Sequence, residues 1–410
     1  MKFQVKLAQL YIMLIPFIAA FSLTPWLPLP LLYMMPISIY LIVIRRLKIF
    51  KEDLEIILMV IMGILGMFFA IDKLGVKNLN HTCAISTSIF LFYIVFKSLI
   101  NKLKSINILA SSFALSLAFV SIFIIIEFIL SNYLGITISD FIPYSTTDEL
   151  ADATLMGSII RPRGLAVEAG HMATFYELAL PLSFIYLKDK PLPILLSYYL
   201  LVLSGYTLLF SAASFVALPL AILLSAVVRI RSKNSIVLVI GIVMITFIAL
   251  SSDIARPYID ETVGVRLEIF LDPSQQSNTV TVNDRSEKYQ KISNLFLVAP
   301  FGIGWGTGAQ MAADQEVFAG IMMPEGGGFI SLYGEILIAS GVLGLLLFLR
   351  FITKKIIQLF RLSSLESQLV LIAVLSLSIH YLFISNYWFP MLWLSLGLAD
   401  HVYKNEKFIA

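Results

Sequence analysis

The amino-acid sequence predicts an all-α polytopic membrane protein with about twelve transmembrane helices and one large outward loop. Three observations support this fold class. Hydrophobic residues fill 59% of the 410 positions and charged residues only 13%, which is more apolar surface than one soluble core could bury. The apolar residues gather in runs of roughly 18 to 25, long enough to cross a bilayer as helices. Basic residues recur at every second boundary between those runs.

The predicted spans divide the chain into five parts. Residues 1–134 hold N-terminal spans, 135–163 a first long outward loop, 164–252 central spans, 253–327 the large outward loop and 328–410 C-terminal spans. The first span is expected to be retained, because no small-x-small cleavage site follows its basic start and apolar run. The spans are predicted at 7–25, 28–45, 54–72, 81–100, 107–134, 164–187, 191–210, 212–229, 234–252, 328–350, 367–386 and 388–403.

Loop charges predict the orientation of the spans. Each even-numbered span is followed by Lys or Arg, as at 45–51 after the second and 350–361 after the tenth. The odd-numbered exits are short and nearly uncharged, or acidic: residues 253–327 carry ten acidic residues against five basic ones. Because cytoplasmic loops collect Lys and Arg, both termini are expected in the cytoplasm and the large loop on the outer face.

Arg161 and Arg163 directly precede the sixth predicted span, which enters the membrane from the outer face. The N-terminus of that helix would then present unpaired N–H groups beside two guanidinium groups, an arrangement that suits a phosphate or pyrophosphate. The alternative is that these arginines contact lipid headgroups or pair with acidic residues of the preceding loop, Asp148, Glu149 and Asp152.

Polar residues inside the predicted spans are candidates for chemistry. Glu168 and His171 are three apart and are expected on one helical face. An acid within a membrane span marks a site or a polar cavity, so Glu168 is a candidate general base or a partner for the arginines. For His171, a role in helix packing and a role in the chemistry are equal alternatives. Glu127 and His380 are expected to make interhelical hydrogen bonds.

The large loop carries a second set of candidates. Arg285 lies with Lys288 and Lys291 along one side of a predicted amphipathic helix, and Glu325 lies just before the tenth span. The backbone of Gly302, Gly304 and Gly306 could approach an oxyanion; the alternative is a turn that returns the chain to the membrane.

No metal or other cofactor is expected. The four histidines are dispersed, the single cysteine excludes a cysteine cluster, and no HExxH motif occurs, so the ligand spacings of a zinc site are missing. Asp148 and Asp152, four residues apart, are a minor alternative as cation ligands.

Taken in order, these features resemble Wzy-type O-antigen polymerases, within the O-antigen ligase and polymerase superfamily. The resemblance rests on Arg161-Pro-Arg163-Gly164 with Glu168 after it, on Ser211-Ala-Ala-Ser214 between two spans, on Arg285 ahead of Pro-Phe-Gly-Ile-Gly-Trp-Gly, and on the span that begins Gly341-Val-Leu-Gly344.

Three positions depart from the family pattern. Glu168-Ala replaces Glu-Pro, Ser211-Ala replaces a frequent Ser-Arg, and Glu325-Gly-Gly-Gly stands where the ligase branch usually has His-Asn. The missing histidine favours a polymerase over a ligase and leaves the general base unassigned.

The resemblance implies a GT-C-like glycosyltransferase of the bacterial cytoplasmic (inner) membrane, with a periplasmic large loop. It would polymerise undecaprenyl-pyrophosphate-linked oligosaccharide units into O-antigen, capsule or a similar polysaccharide without a metal. Arg161, Arg163, Arg285 and, more weakly, Arg266 would bind the pyrophosphate. Glu168 would accept the hydroxyl proton, with His171 or Glu325 as second choices.

The expected partners are membrane lipid, a chain-length regulator and a flippase, and no nucleic acid. Two alternatives stay open. One is a ligase that transfers finished polymer to lipid A core or to protein. The other, of a different class, is a flippase or secondary transporter of lipid-linked oligosaccharide. The absence of a visible internal repeat argues against a transporter built from paired repeats.

Overall fold

The computed structural model describes residues 2–22, 27–138, 141–143, 155–156, 159–228, 280–323 and 331–409. The ninth predicted span lies outside these ranges, as do Arg266 and Glu325 and the acidic pair Asp148 and Asp152. Of Arg285 only the backbone lies within the described part. The roles predicted for these residues therefore stay predictions.

The described part is predominantly helical. Two short antiparallel pairs of strands, β1 (Leu155–Met156) with β2 (Ile159–Ile160) and β3 (Val317–Phe318) with β4 (Ile321–Met322), lie in the segments predicted to face outward. The α-helices are α1 Lys2–Leu14, α2 Leu29–Val43, α3 Leu54–Gly66, α4 Val76–Ser88, α5 Phe96–Ile100, α6 Asn107–Tyr133, α7 Ala169–Leu187, α8 Leu192–Leu208, α9 Ala212–Val228, α10 Val280–Val298, α11 Thr307–Ala313, α12 Leu332–Phe360, α13 Leu365–His380 and α14 Pro390–Ile409.

Four helical segments of the described part are long and apolar enough to cross a membrane: Lys51–Lys73, Val76–Ile100, Asn107–Tyr133 and Leu332–Phe360. The first contains α3 between two 3-10 turns, and the second joins α4 to α5 through a π-helical stretch. They coincide with the third, fourth, fifth and tenth predicted spans. Shorter apolar helices accompany them, so the total of about twelve spans stays a prediction.

Two hydrogen bonds, one at each end of the helices, join boundaries that are distant in the sequence. At one end Ser105 Oγ donates to Glu366 Oε1 over 2.6 Å. At the other end Asn78 Nδ2 donates to the Trp305 carbonyl over 3.0 Å. The first bond joins boundaries predicted to be cytoplasmic, and the second joins boundaries predicted to be outward. In these two contacts, boundaries that the loop charges assign to the same side lie together, while the side that each end faces stays a prediction.

A buried ionic cluster joins the ends that are predicted to be cytoplasmic. Lys97 contacts Asp53 and lies 3.5 Å from Asp400, which also contacts Lys355. The Tyr93 hydroxyl lies 2.8 Å from Asp53 Oδ1 and 2.5 Å from Asp400 Oδ2. Buried charges persist when they are paired and hydrogen-bonded. This cluster therefore ties the start of α3 to α5, α12 and α14.

Helix α12 is broken at Gly341, whose φ of 67° and ψ of −171° are not helical. The break leaves carbonyls without their usual partners. The Ile303 and Gly304 amides donate to the carbonyls of Ile338 and Ala339 over 2.8 and 3.0 Å. The chain before α11 thus completes the hydrogen bonding of the broken helix, as backbone within a membrane requires.

Candidate active site

The segment that carries Arg161 and Arg163, the arginine segment, is held in place by two side chains of α6. Asn132 forms two hydrogen bonds with the backbone of Ile160, each of 2.8 Å. Nearly one and a half turns earlier, Glu127 Oε1 accepts the Arg163 amide over 3.2 Å and Glu127 Oε2 accepts the Gly164 amide over 2.8 Å. Both carboxylate oxygens are thus used to hold one turn of backbone.

The interhelical hydrogen bond predicted for Glu127 is wrong, since its carboxylate binds loop backbone. Glu127 is only 7% exposed, and a buried carboxylate requires several donors. Two consecutive backbone amides at a tight turn supply them. These two hydrogen bonds therefore offset the free-energy cost of burying the carboxylate, and they order the arginine segment.

The same segment is held from a second side by the end of the α1 region. The Leu165 carbonyl accepts the amides of Ala19 and Ala20 over 3.1 and 3.2 Å. Gly164 has a φ of 63°, which favours glycine, and an added Cβ would lie 3.2 Å from Met172 and 3.3 Å from Ile124. The turn therefore has little freedom to change shape.

The two arginines differ in burial. Arg163 is 8% exposed, and its charge lies near Glu127. Arg161 is half-buried, and its Nε atom is buried without a hydrogen-bond partner among the described residues. Burial lowers the pKa of the Arg161 guanidinium, and the charge of Glu168 opposes that shift. A desolvated guanidinium is a strong partner for an anion.

Glu168 and His171 lie at the start of α7, but not as the sequence predicted. The helix begins at Ala169 and not near 164, because the positive φ of Gly164 and the extended Glu168, with φ −135° and ψ 157°, precede it. Glu168 is thus the N-cap residue and lies outside the helix. His171 lies in the first turn, and the Glu168 charge reaches both His171 and Arg161.

The loop between α13 and α14 also contributes to this region. The sequence did not predict that contribution. Asn386 Nδ2 contacts His171 Nε2, and the ring of Phe389 lies edge-on to the His171 ring at 4.6 Å. The next residue, Tyr387, places its hydroxyl against His81 Nδ1. The only available signal was a polar residue among aromatic ones in Ser-Asn-Tyr-Trp-Phe-Pro, between two apolar runs.

The glycine-rich loop, which contains Gly302, Gly304 and Gly306, packs closely against neighbouring helices. The amides of Gly302 and Gly304 donate to the carbonyls of Ala299 and Ala339 over 2.9 and 3.0 Å. A Cβ added at Gly302, Gly304 or Gly306 would lie within 2.5 Å of another group. These two amides are engaged by carbonyls, which supports the alternative of a turn that returns the chain to the membrane. It argues against the oxyanion role predicted for Gly302 and Gly304, while the role predicted for Gly306 stays a prediction.

One comparison with known proteins finds a family match for part of the chain. A family model described as O-antigen ligase matches residues 197–349. The match supports membership of the chain in the O-antigen ligase and polymerase superfamily. The match covers most of α8, then α9, the glycine-rich loop and much of α12. A comparison with curated proteins gives no match.

Members of the O-antigen ligase and polymerase superfamily are membrane enzymes of the glycosyltransferase or ligase type. They act on lipid-linked oligosaccharides in the synthesis of surface polysaccharide. The matched region supports that class of activity for this chain. The match does not distinguish a polymerase from a ligase, and it begins after the arginine segment at 161–163.

Within the matched region, Ser211-Ala-Ala-Ser214 lies where α8 ends and α9 begins. Ser214 Oγ lies 3.2 Å from Ser211 Oγ and 3.2 Å from His380 Nδ1, and His380 Nδ1 lies 2.6 Å from Glu177 Oε1. The interhelical hydrogen bonding predicted for His380 is confirmed, because these residues belong to α7, α9 and α13. Ser211 Oγ would lie 3.9 Å from a Cβ at Gly170, so this network supports the first turn of α7.

Proposed function

We propose that this protein polymerises undecaprenyl-pyrophosphate-linked oligosaccharide units on the outer face of the bacterial cytoplasmic membrane. The observation that carries the proposal is the double clamp of Glu127 on the amides of Arg163 and Gly164. A buried acid that orders a turn between two arginines and the start of α7 prepares a site for an anion. The preferred anion is the pyrophosphate of a lipid-linked donor, which needs both a membrane and cationic partners.

Charge on the leaving group is the main barrier to the proposed transfer. The acceptor hydroxyl oxygen bonds to the anomeric carbon, and the bond from that carbon to the pyrophosphate oxygen breaks with its electron pair on the pyrophosphate. Guanidinium groups fixed before the reaction stabilise such charge without reorganisation. We assign this role to Arg161 and Arg163, joined from the large loop by Arg285 and, more weakly, by Arg266, with no metal required.

Glu168 is the first candidate for accepting the hydroxyl proton. It lies at the mouth of the site, and its charge reaches both Arg161 and His171. A general base must lie within hydrogen-bond reach of the proton that it removes, and a group outside the helix can approach a substrate more freely than one inside. His171 and Glu325 are the second candidates.

The sequence at Glu325-Gly-Gly-Gly favours a polymerase, because the ligase branch usually has a His-Asn pair there. A chain-length regulator and a flippase are the proposed partners. The proposed topology places both termini in the cytoplasm and the large loop in the periplasm.

A strain that lacks the gene tests this function directly. We expect glycans that carry single repeat units on the final acceptor, and restoration of long polymer by the intact gene. Polymer that accumulates on the lipid carrier would instead indicate a ligase. Purified protein in liposomes tests the remaining alternative: movement of lipid-linked oligosaccharide across the bilayer without new glycosidic bonds would indicate a flippase.

A further inference from the structure

A buried pair of ionisable side chains lies behind the candidate active site, and the mechanism described above uses neither of them. Glu177 of α7 and His380, the last residue of α13, are both 0% exposed. Glu177 Oε1 lies 2.6 Å from His380 Nδ1. Ionisable groups are costly to bury in a membrane bundle and by default mark a functional site. The alternative is that the pair only joins the two helices.

The pair is connected to His171, a candidate base in the first turn of α7. Asn386, in the loop after α13, contacts His171 Nε2. The hydroxyl of Tyr381, the residue next to His380, donates to the Asn386 carbonyl over 3.4 Å. The charge of His380 also reaches the His171 imidazole. A change of charge on the pair is therefore felt at the candidate base.

Hydrogen bonds determine which nitrogen of His380 can accept a proton. An ionised carboxylate only accepts hydrogen bonds, so the contact with Glu177 requires a proton on His380 Nδ1. Ser214 Oγ lies 3.2 Å from the same nitrogen. The Nε2 atom of His380 is buried and has no hydrogen-bond partner among the described residues. The pair thus carries one negative charge while the imidazole is neutral.

His171 is held in a matching way. The NH2 group of Asn386 only donates, so His171 Nε2 accepts and the proton of the neutral ring is on Nδ1. That Nδ1 atom is buried and has no hydrogen-bond partner among the described residues. A second proton on this ring creates a cation in a buried position, which costs free energy. A negative charge nearby offsets part of that cost.

The helices that pack against α7 bring few other charges to this place. These helices are α6, α8, α9, α13 and α14. The Glu127 carboxylate of α6 binds backbone amides of the arginine segment. The hydroxyls of Tyr206 on α8 and Tyr381 after α13 stay neutral near pH 7, and α9 contributes serine hydroxyls. Asp400 and His401 lie toward the other end of α14.

The remaining charges lie at the mouth of the site. Glu168 adds a negative charge that reaches His171. The two guanidinium groups of the arginine segment add positive charge, and Glu168 also reaches one of them. The pair of Glu177 and His380 therefore supplies the negative charge on the interior side of His171.

We propose that Glu177 and His380 are positioning residues of the transfer, whose shared negative charge stabilises the proton that His171 takes from the acceptor hydroxyl. The O–H bond breaks, its proton goes to His171 Nε2, and the oxygen uses its electron pair to bond to the anomeric carbon. Asn386 then turns its amide oxygen to the new N–H. This inference rests on the proposed function. It favours His171 over Glu168 as the base and leaves Glu168 as a second source of negative charge.

NMR on the whole protein in nanodiscs measures the coupling directly. The chain has four histidines, at positions 81, 171, 380 and 401, so their signals can be assigned by replacing them one at a time. With 15N-labelled imidazoles, neutral His380 should carry its proton on Nδ1. An Nε2 proton on that neutral ring would contradict the orientation and overturn the inference, without any need for a variant of Glu177.

Glu177→Gln is the main test, because it keeps the size of the side chain and an acceptor for His380 but removes the charge. We expect the titration midpoint of His171 to fall by about one pH unit. The low-pH limb of the rate of polymer formation should move to lower pH by the same amount, because a base that binds its proton less tightly stays active in more acid solution.

Two variants keep the charge of the pair and serve as controls. Glu177→Asp shortens the side chain but retains the carboxylate. Ser214→Ala removes a hydroxyl from the same imidazole. Both should leave the His171 midpoint and the low-pH limb close to those of wild type, even if the rate falls. A lower rate at every pH with an unmoved midpoint in Glu177→Gln would mean a packing role and overturn the inference. A midpoint that moves while the limb stays would assign the proton to Glu168 and also overturn it.

The spectra require no transfer activity, so the two proposals fail separately. A lowered His171 midpoint in Glu177→Gln, together with no glycosidic bond formation by the wild type, would keep the coupling of the pair to His171 and reject the proposed polymerase. Polymer formation by the wild type, with the same midpoint and the same limb in Glu177→Gln, would keep the polymerase and reject the role of the pair.

Discussion

Replacement of Glu127 by glutamine tests the clamp on the arginine segment. The change keeps the size of the side chain and one acceptor oxygen, but it turns the other oxygen into an NH2 group. That group would face the Arg163 or Gly164 amide, which now lies 3.2 or 2.8 Å from a carboxylate oxygen. One of the two amides therefore loses its acceptor and meets a donor.

The size of the effect follows from the hydrogen bonds. A bond to a charged group contributes about 1.5–3 kcal/mol, and leaving a buried donor unpaired costs a similar amount. About 2–3 kcal/mol corresponds to roughly 30- to 150-fold in the population of the ordered turn. We therefore expect Glu127→Gln to slow polymer formation by roughly that factor, if the turn must be ordered for donor binding.

The assay is the polymer ladder of a deletion strain that expresses each variant, normalised to the amount of protein in the membrane. Ser116→Ala is the matched control: Ser116 is buried on the same helix, and its hydroxyl has no hydrogen-bond partner among the described residues. A wild-type ladder from Glu127→Gln at normal abundance would refute the reasoning, because the clamp would then have no part in ordering the site.

Four further changes test other parts of the structure. Gly164→Ala should reduce polymer roughly tenfold through strain at positive φ and crowding, whereas Gly135→Ala, at a φ of 65° with nothing within 4 Å, should have a smaller effect on the ladder. Arg163→Lys keeps the charge but loses the planar fork, and we expect roughly tenfold less polymer; a full ladder would show that charge alone suffices. Lys355→Met leaves the buried Asp400 short of one partner and should lower the free energy of unfolding by about 3–5 kcal/mol, measured by denaturation in detergent, while the exposed Arg361→Met should not. Chelation by EDTA should leave the transfer rate of purified protein unchanged, and a strict divalent-ion requirement would contradict the metal-free mechanism.

The sequence predicted the long spans because their signal is local. The segments around α3, α4 with α5, α6 and α12 are apolar runs of sufficient length. The bounds of the first three lie close to the predicted ones, whereas α12 continues to Phe360, well beyond its predicted end at 350. The start of α7 was misplaced because hydropathy does not register the left-handed turn at Gly164. Apolar residues continue through that turn, although the backbone is not yet helical.

The candidate site was only partly predictable, for a different reason. Arg161, Arg163, Glu168 and His171 are close in sequence, so their proximity followed from spacing. Glu127 and Asn386 reach the same region from 36 and 215 residues away from their partners, and their contacts depend on how α6 and the α13–α14 loop pack. A single polar residue in an apolar run shows that a partner is needed, but it does not show which one.

The break at Gly341 has a consequence for biogenesis. The carbonyls of Ile338 and Ala339, beside the break in α12, accept the amides of Ile303 and Gly304 from outside the helix. These residues precede α12 in the chain and, in the predicted topology, lie in a segment that must first cross to the outer face. The outer turns of this span therefore mature only after translocation, so insertion of the helix and folding of the exported segment form a single cooperative event.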